Sequence, residues 1–234
     1  MTDGQPTRRS FLRASALTAL GAGVLRPDML QSGQDVPQIY SPIPLKPSAL
    51  AMTGISERTM REHFKLYTGY VSKANEILGA LQGVDYSKAN QTFSELRELK
   101  VEFSFALGGV KNHEIYFDIL GGKGGQPTGP LLTQIQKDFG SYEKWEKDFT
   151  SSGLAARGWV WLAYDQDRKM LFNFLGDSQN TFPVWNAAPI AALDTYEHAY
   201  YLDYATDRKS YIGAFMQNLD WPTVESRFAR AAKS

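Results

Sequence analysis

Residues 189–201 read Pro-Ile-Ala-Ala-Leu-Asp-Thr-Tyr-Glu-His-Ala-Tyr-Tyr. A short apolar run, Pro189 to Asp194, ends on a carboxylate; helical character returns from about Glu197, and His198 stands four residues beyond Asp194. An Asp at a strand-to-helix junction ordinarily caps the helix. The same junction can also turn a carboxylate and an imidazole toward one point. The rest of the chain decides between these readings.

Immediately upstream, Trp159 to Tyr164 alternates and is rich in aromatics, Asp165 to Arg168 reads as a hairpin turn, and Lys169 to Leu175 as the return strand. With the Pro189–Asp194 run this makes three short strands. The earlier half reads differently. Ser56 is a plausible N-cap for a helix from about Glu57 to Leu81, with Met60, Phe64, Tyr67, Val71 and Ala74 at three- and four-residue spacing. A second helical run extends from about Gln91 to Leu120, and its Gly108-Gly109 pair allows close packing or marks a bend. Shorter helices are expected at about 128–138 and 141–156, and a last one after Trp221-Pro222. The Gly121–Pro127 loop lacks the preceding strand and the G-K-S/T ending of a phosphate-binding loop. The expectation is an α+β fold: an N-terminal α-helical hairpin followed by a C-terminal α/β domain with a small three-stranded antiparallel sheet. Its expected parts are residues 35–122, opening on an extended Pro-rich arm, and 123–234, preceded by a separate segment, 1–34.

Composition narrows the chemistry. The 234 residues carry 25 Lys+Arg against 25 Asp+Glu, which argues against a general binder of nucleic acid or anionic lipid. There is no Cys, so disulfides, thiolate metal sites, iron–sulfur clusters and a Cys nucleophile are excluded. Imidazole chemistry must come from three residues, His63, His113 and His198. Each alone reads most simply as a packed or surface histidine. Together with one carboxylate they make a four-ligand set suited to Mn, Fe or Zn, and pattern alone does not choose among these ions.

The string Asp194-Thr-Tyr-Glu197-His198-Ala-Tyr-Tyr201 closely resembles the D-x-W-E-H-A-Y-Y signature of the iron/manganese superoxide dismutases. Asn112-His113 with Tyr116-Phe117, the stretch Gly121–Phe149 and Gly158-Trp159-Val160-Trp161-Leu162 are similar to further motifs of that family, in the same order. The resemblance spans about residues 40–230. It implies superoxide dismutation by a mononuclear Mn or Fe ion, one per subunit, held by His63, His113, Asp194 and His198. It further implies that Tyr70 is a gateway over the substrate channel, that Trp159 walls the pocket, and that Arg208 steers the anion at the channel mouth. Glu197 would bridge to the partner's ligand histidine in a homodimer or tetramer. Gly109 resembles the manganese-type members, which bring a Gln from the strand region to the metal-bound solvent; Gln179 stands where that residue is expected.

Three positions depart from the family pattern. The segment between His63 and Tyr70 is one residue shorter, about 100° of helix rotation. Tyr67 replaces a usual His, so the pair across the dimer would be Tyr67 with Tyr201. Tyr196 replaces a usual Trp. The rival reading is a metal-binding member of the family without fast dismutation, in a non-enzymatic or other redox role.

At the other end, Thr7-Arg8-Arg9-Ser10-Phe11-Leu12-Arg13 precedes a stretch of small apolar residues that breaks at Arg26-Pro27. A basic region before a short apolar one reads as a signal peptide, and the paired arginines resemble the bacterial twin-arginine export signal. The apolar stretch, at about 1.5 Å per residue, reaches roughly 18 Å, too short for a hydrocarbon core of ~30 Å. An exported protein, periplasmic or extracellular and without a stable transmembrane span, is expected.

Overall fold

The computed structural model describes residues 38–180 and 184–233. The export-signal expectation on residues 1–34, and Phe182-Pro183 after Gln179, lie outside them. Two long helices come first. Helix α1 spans Glu57–Ala80 and starts where the Ser56 side chain accepts from Thr59 N–H; α2 spans Glu95–Asp118 and starts where Ser94 accepts from Arg97 N–H. These caps satisfy amide donors that a helix start leaves free. The second helix begins four residues later than expected because the Asn90 side chain takes the amides of Thr92 and Phe93, which fixes a turn there. Both helices are α-helical throughout, so Gly108-Gly109 marks close packing and no bend.

The chain then forms α3 (Gly129–Phe139) and α4 (Tyr142–Ala155), followed by β1 (Trp159–Asp165), β2 (Met170–Gly176) and β3 (Ala187–Asp194). The sheet is antiparallel with order β2-β1-β3. Its central strand is buried along nearly its whole length, which explains why it is the aromatic-rich one. Lys169 belongs to the turn, at φ 57°, so the return strand starts one residue later than the alternation suggests. In β3 the register against β1 shifts between Leu162 and Ala163, where Pro189, lacking an N–H, sits on an edge strand beside the irregularity. Beyond that shift the pairing brings Trp159 opposite Asp194.

After β3, Glu197–Ala199 makes a single 3₁₀ turn, and then come α5 (Tyr201–Tyr204), α6 (Arg208–Gln217) and α7 (Trp221–Ala231). The described residues therefore hold seven α-helices and one three-stranded sheet, the α+β arrangement expected from the sequence. An aromatic cluster of Tyr142, Trp145, Phe149, Phe215 and Trp221 joins α4, α6 and α7. The helical region is stitched to the α/β region where Asp220 N–H donates to Ile119 O at 2.7 Å and Gly122 N–H to Asn218 O at 2.9 Å. No helix among the described residues is long and apolar enough to cross a membrane.

Candidate metal centre

His63 projects from α1, His113 from α2, Asp194 from the last position of β3, and His198 from the 3₁₀ turn that follows. One ligand atom from each lies within 4.8 Å of every other. Asp194 Oδ2 is the focus: His198 Nε2 stands 3.0 Å from it, His63 Nε2 3.1 Å and His113 Nε2 3.7 Å. His63, His113 and Asp194 are buried, and the His198 side chain is 27% exposed.

Local structure assigns the remaining atoms. Asp194 Oδ1 accepts from Tyr196 N–H at 2.9 Å, an Asx turn that folds the chain from strand into helix. One carboxylate thus serves both readings that the sequence left open: Oδ1 makes the turn and Oδ2 faces the imidazoles. His113 Nδ1 donates to Gly109 O at 2.6 Å, so its Nε2 carries a lone pair, is buried, and has no hydrogen-bond partner among the described residues. A lone pair and a carboxylate oxygen facing one another in a dry pocket need a cation between them. The donor set, three imidazole nitrogens and one carboxylate oxygen, suits Mn, Fe or Zn.

The titration of these groups follows from the same geometry. Burial holds His63 below the usual imidazole value and lowers His113 to about 3, so both rings are neutral. Burial alone would raise the Asp194 carboxyl, but charge on His198 and hydrogen bonds from His198 and His63 outweigh it and hold the group well below the usual carboxylate range. For His198 burial acts downward, and the Asp194 charge outweighs it and raises the ring.

Tyr70 stands seven residues after His63, two turns of a regular helix, and therefore on nearly the same face. The shorter spacing thus needs no irregularity in α1 to bring Tyr70 to the site. Its ring lies 5.5 Å from that of His113, and its Oη accepts from Gln179 Nε2 at 3.3 Å. Gln179 is only 3% exposed. Trp159 Nε1 donates to Gln179 Oε1 at 3.0 Å, Asn112 Nδ2 donates to Gln179 O at 3.1 Å, and Trp161 Nε1 donates to Asn112 Oδ1 at 3.1 Å. With Oε1 occupied by the indole, the Gln179 amide can only turn its NH₂ toward Tyr70. The glycine pair makes room for this arrangement. A Cβ on Gly109 would lie 2.7 Å from the Tyr70 ring, and one on Gly108 would lie 2.3 Å from Gln179 O.

Trp159 meets the His113 ring edge-on at 5.2 Å, and Tyr196 stacks on His198 at 5.2 Å. Tyr67 is buried, its ring 6.2 Å from His113; its Oη accepts from Ile43 N–H at 2.9 Å and donates to Glu114 Oε1 at 3.4 Å. Glu197 is exposed, and Tyr201 is 51% exposed. Arg208 donates through Nη1 to Ala156 O at 2.7 Å and through Nε to Tyr200 Oη at 3.2 Å, apart from the four ligand side chains.

Sequence reasoning left four contributors out of the site. Asn112 and Trp161 position Gln179. Tyr211 Oη donates to the main-chain oxygen of Asp194 at 2.8 Å; its proton is thereby spent, so Tyr116 Oη donates to Tyr211 at 3.2 Å. Asn112 adjoins His113 within a motif already noted, and that adjacency is the available signal; for Tyr211 the sequence holds none.

A helical pair packed against a small antiparallel sheet, with two imidazoles from the helices and a carboxylate and a third imidazole from the sheet end, defines a mononuclear, non-thiolate metal-site protein. Residues 127–227 match the family model described as the C-terminal domain of iron/manganese superoxide dismutases. An iron superoxide dismutase of Aquifex aeolicus is 42% identical over 197 residues, 81% of this chain and 91% of that protein. One of Cupriavidus metallidurans is 37% identical over 83% of this chain and 99% of its own length. A manganese superoxide dismutase of Halobacterium salinarum is 35% identical over 76% and 89%, respectively. The chain belongs to the iron/manganese superoxide dismutase family.

Proposed function

We propose that the chain is a superoxide dismutase, converting two superoxide anions and two protons to dioxygen and hydrogen peroxide. The observation that carries this reading is the meeting of three imidazole nitrogens and one carboxylate oxygen in a buried pocket beside the Tyr70–Gln179 pair. An iron or manganese ion, one per subunit, supplies reversible one-electron chemistry when bound. His63, His113, Asp194 and His198 would hold it. Their summed charge of one negative leaves a divalent or trivalent centre still cationic, and so attractive to a small anion.

The other residues manage protons and access. Peroxide formation consumes two protons, which requires a donor held in place. Burial raises the Tyr70 phenol above its ordinary value, so it keeps its proton at neutral pH. Gln179 orients that phenol, and Trp159 with Asn112 orients Gln179. Trp159 and Tyr116, both fully buried, wall the pocket against bulk water. Arg208 adds positive charge for steering.

The same reading includes a homodimer in which Glu197 and Tyr201 face the partner subunit. Its support is that Glu197, Tyr201 and part of His198 lie open on the isolated chain next to a ligand set that otherwise excludes water. It also includes residues 1–34 as a twin-arginine export signal, supported by Arg8-Arg9 and the short apolar stretch, with the folded chain divided into a helical part, 35–122, and an α/β part, 123–234.

Metal analysis of the purified protein beside a superoxide-decay assay tests the proposal. Decay should scale with bound iron or manganese. A protein with a full complement of metal that decays superoxide no faster than buffer would overturn it in favour of a metal-binding role without dismutation.

A further inference from the structure

The peptide that joins Asp194 to Thr195 is held at both of its polar atoms. Tyr211 Oη donates to Asp194 O at 2.8 Å, and Thr195 N–H donates to Gly158 O at 2.8 Å. The Asp194 side chain is held as well, because Oδ1 accepts from Tyr196 N–H at 2.9 Å. Main chain and carboxylate are thus fixed separately, and Oδ2 is left facing the imidazoles. Two of these bonds use main-chain amides, which almost any residue supplies. The third uses a side chain carried by α6, and that one can be removed without touching the main chain.

The Tyr211 phenol is itself held in place. Its ring has no exposed surface and stacks on Tyr200 at 5.0 Å, and its Oη accepts from Tyr116 Oη at 3.2 Å. Tyr116 stands one turn beyond His113 on α2, and its ring lies 4.9 Å from that of His63. The two phenols therefore connect the helices that carry His63 and His113 with the strand end that carries Asp194. Each hydroxyl proton has an acceptor, and the last acceptor in the series is the carbonyl of a ligand residue.

We propose that Tyr211 is a positioning residue of the metal centre, holding Asp194 so that its carboxylate keeps one placement in the ligand set. Groups that orient a ligand from behind control how firmly it holds an ion. Without the phenol, the Asp194 carbonyl loses a buried donor and the peptide that carries the carboxylate is less constrained. The inference rests on the metal reading of the site and not on dismutation.

The test is loss of metal to excess EDTA from the full-length protein loaded with iron or manganese, well below its melting midpoint, together with the visible absorption of the oxidised metal. Tyr211→Phe should lose metal roughly tenfold faster or more and displace the visible band. That variant also leaves the Tyr116 hydroxyl without its acceptor, which lowers stability in its own right. The double variant Tyr116→Phe/Tyr211→Phe removes this orphan; it should regain stability while metal loss stays fast, and it carries the test if the single variant does not fold. Tyr142→Phe removes a similar phenol bond, to Gly125 O at 2.9 Å, from the aromatic cluster on α4, and should keep the parent's band and rate of metal loss. Parent-like retention and absorption in folded Tyr211→Phe, retention that recovers together with stability in the double variant, or equally fast loss from Tyr142→Phe would each overturn the assignment. A parent that takes up neither iron nor manganese would instead fail the metal reading, and this inference with it.

Discussion

Replacing Gln179 by Leu keeps the side chain near its original volume and removes both polar atoms. Its Oε1 is the acceptor for the indole N–H of Trp159, a residue with no exposed surface. In the variant that donor is orphaned in a dry site, which costs about 1–3 kcal/mol. Asn112 keeps its bond to the main-chain oxygen of residue 179, so the loop itself stays anchored. For a fold of this size each kcal/mol moves the melting midpoint by about 2–4 °C, so a fall of about 2–12 °C is expected. No ligand changes, and metal content should match the parent. Tyr70 loses the donor that orients it, and superoxide decay per bound metal ion should drop more than tenfold, about 1.4 kcal/mol or more in the barrier. Adding Trp159→Phe removes the orphaned N–H and should restore part of the stability while the rate stays low, a non-additive signature of direct contact. Equal melting midpoints and equal rates for Gln179→Leu and parent would refute both the buried network and its role.

Gly109→Ala puts a methyl within 2.7 Å of the Tyr70 ring; overpacking of about 1–3 kcal/mol should outweigh the roughly 1 kcal/mol gained in helix propensity, and a denaturant midpoint above the parent's would contradict this. Glu197→Ala should lower metal retention and shift the sedimentation profile toward monomer together; a variant that stays dimeric with full metal would separate Glu197 from the interface. For metal-stripped protein, His63 and His113 resist the proton that the unfolded chain accepts near pH 6.5, so stability should fall as pH drops from about 7 toward 3. His198 runs the other way, contributing stability below pH 6.5 that is lost as pH rises through its elevated folded value, and Asp194 adds a further loss only below about 3.8. Denaturant midpoints between pH 7.5 and 4 that rise toward acid would show that the two buried rings do not control the balance.

What the sequence made legible was what repeats or punctuates locally. Ser56 and the apolar spacing in α1, and the alternation across β1, sufficed for the α+β class. The starts of α2 and β2 were displaced because a single side chain, Asn90, and a single backbone angle, at Lys169, outvote the hydrophobic pattern. Composition names the three histidines, and the strand-end position of Asp194 four residues before His198 singles out a carboxylate; their assignment as one ligand set comes from the family resemblance. Seven-residue spacing between His63 and Tyr70 is one residue short of the family pattern, yet on an uninterrupted helix it is a near-integral number of turns. The Tyr116–Tyr211 contact behind Asp194 joins residues 95 apart, and no local pattern can announce such a pair.

The register of β3 against β1 has a bearing on how the protein matures. Asp194 faces Trp159 only because the strand pairing shifts at Leu162/Ala163. A slip of one residue would turn the carboxylate to the opposite face of the sheet. A chain closed in the wrong register would still look folded by its helix content, but it would offer the cation the helix imidazoles of His63 and His113 without the Asp194 carboxylate and with His198 displaced. Metal occupancy of freshly folded protein therefore doubles as a proofreading signal, reporting the fraction of molecules whose strands have paired correctly.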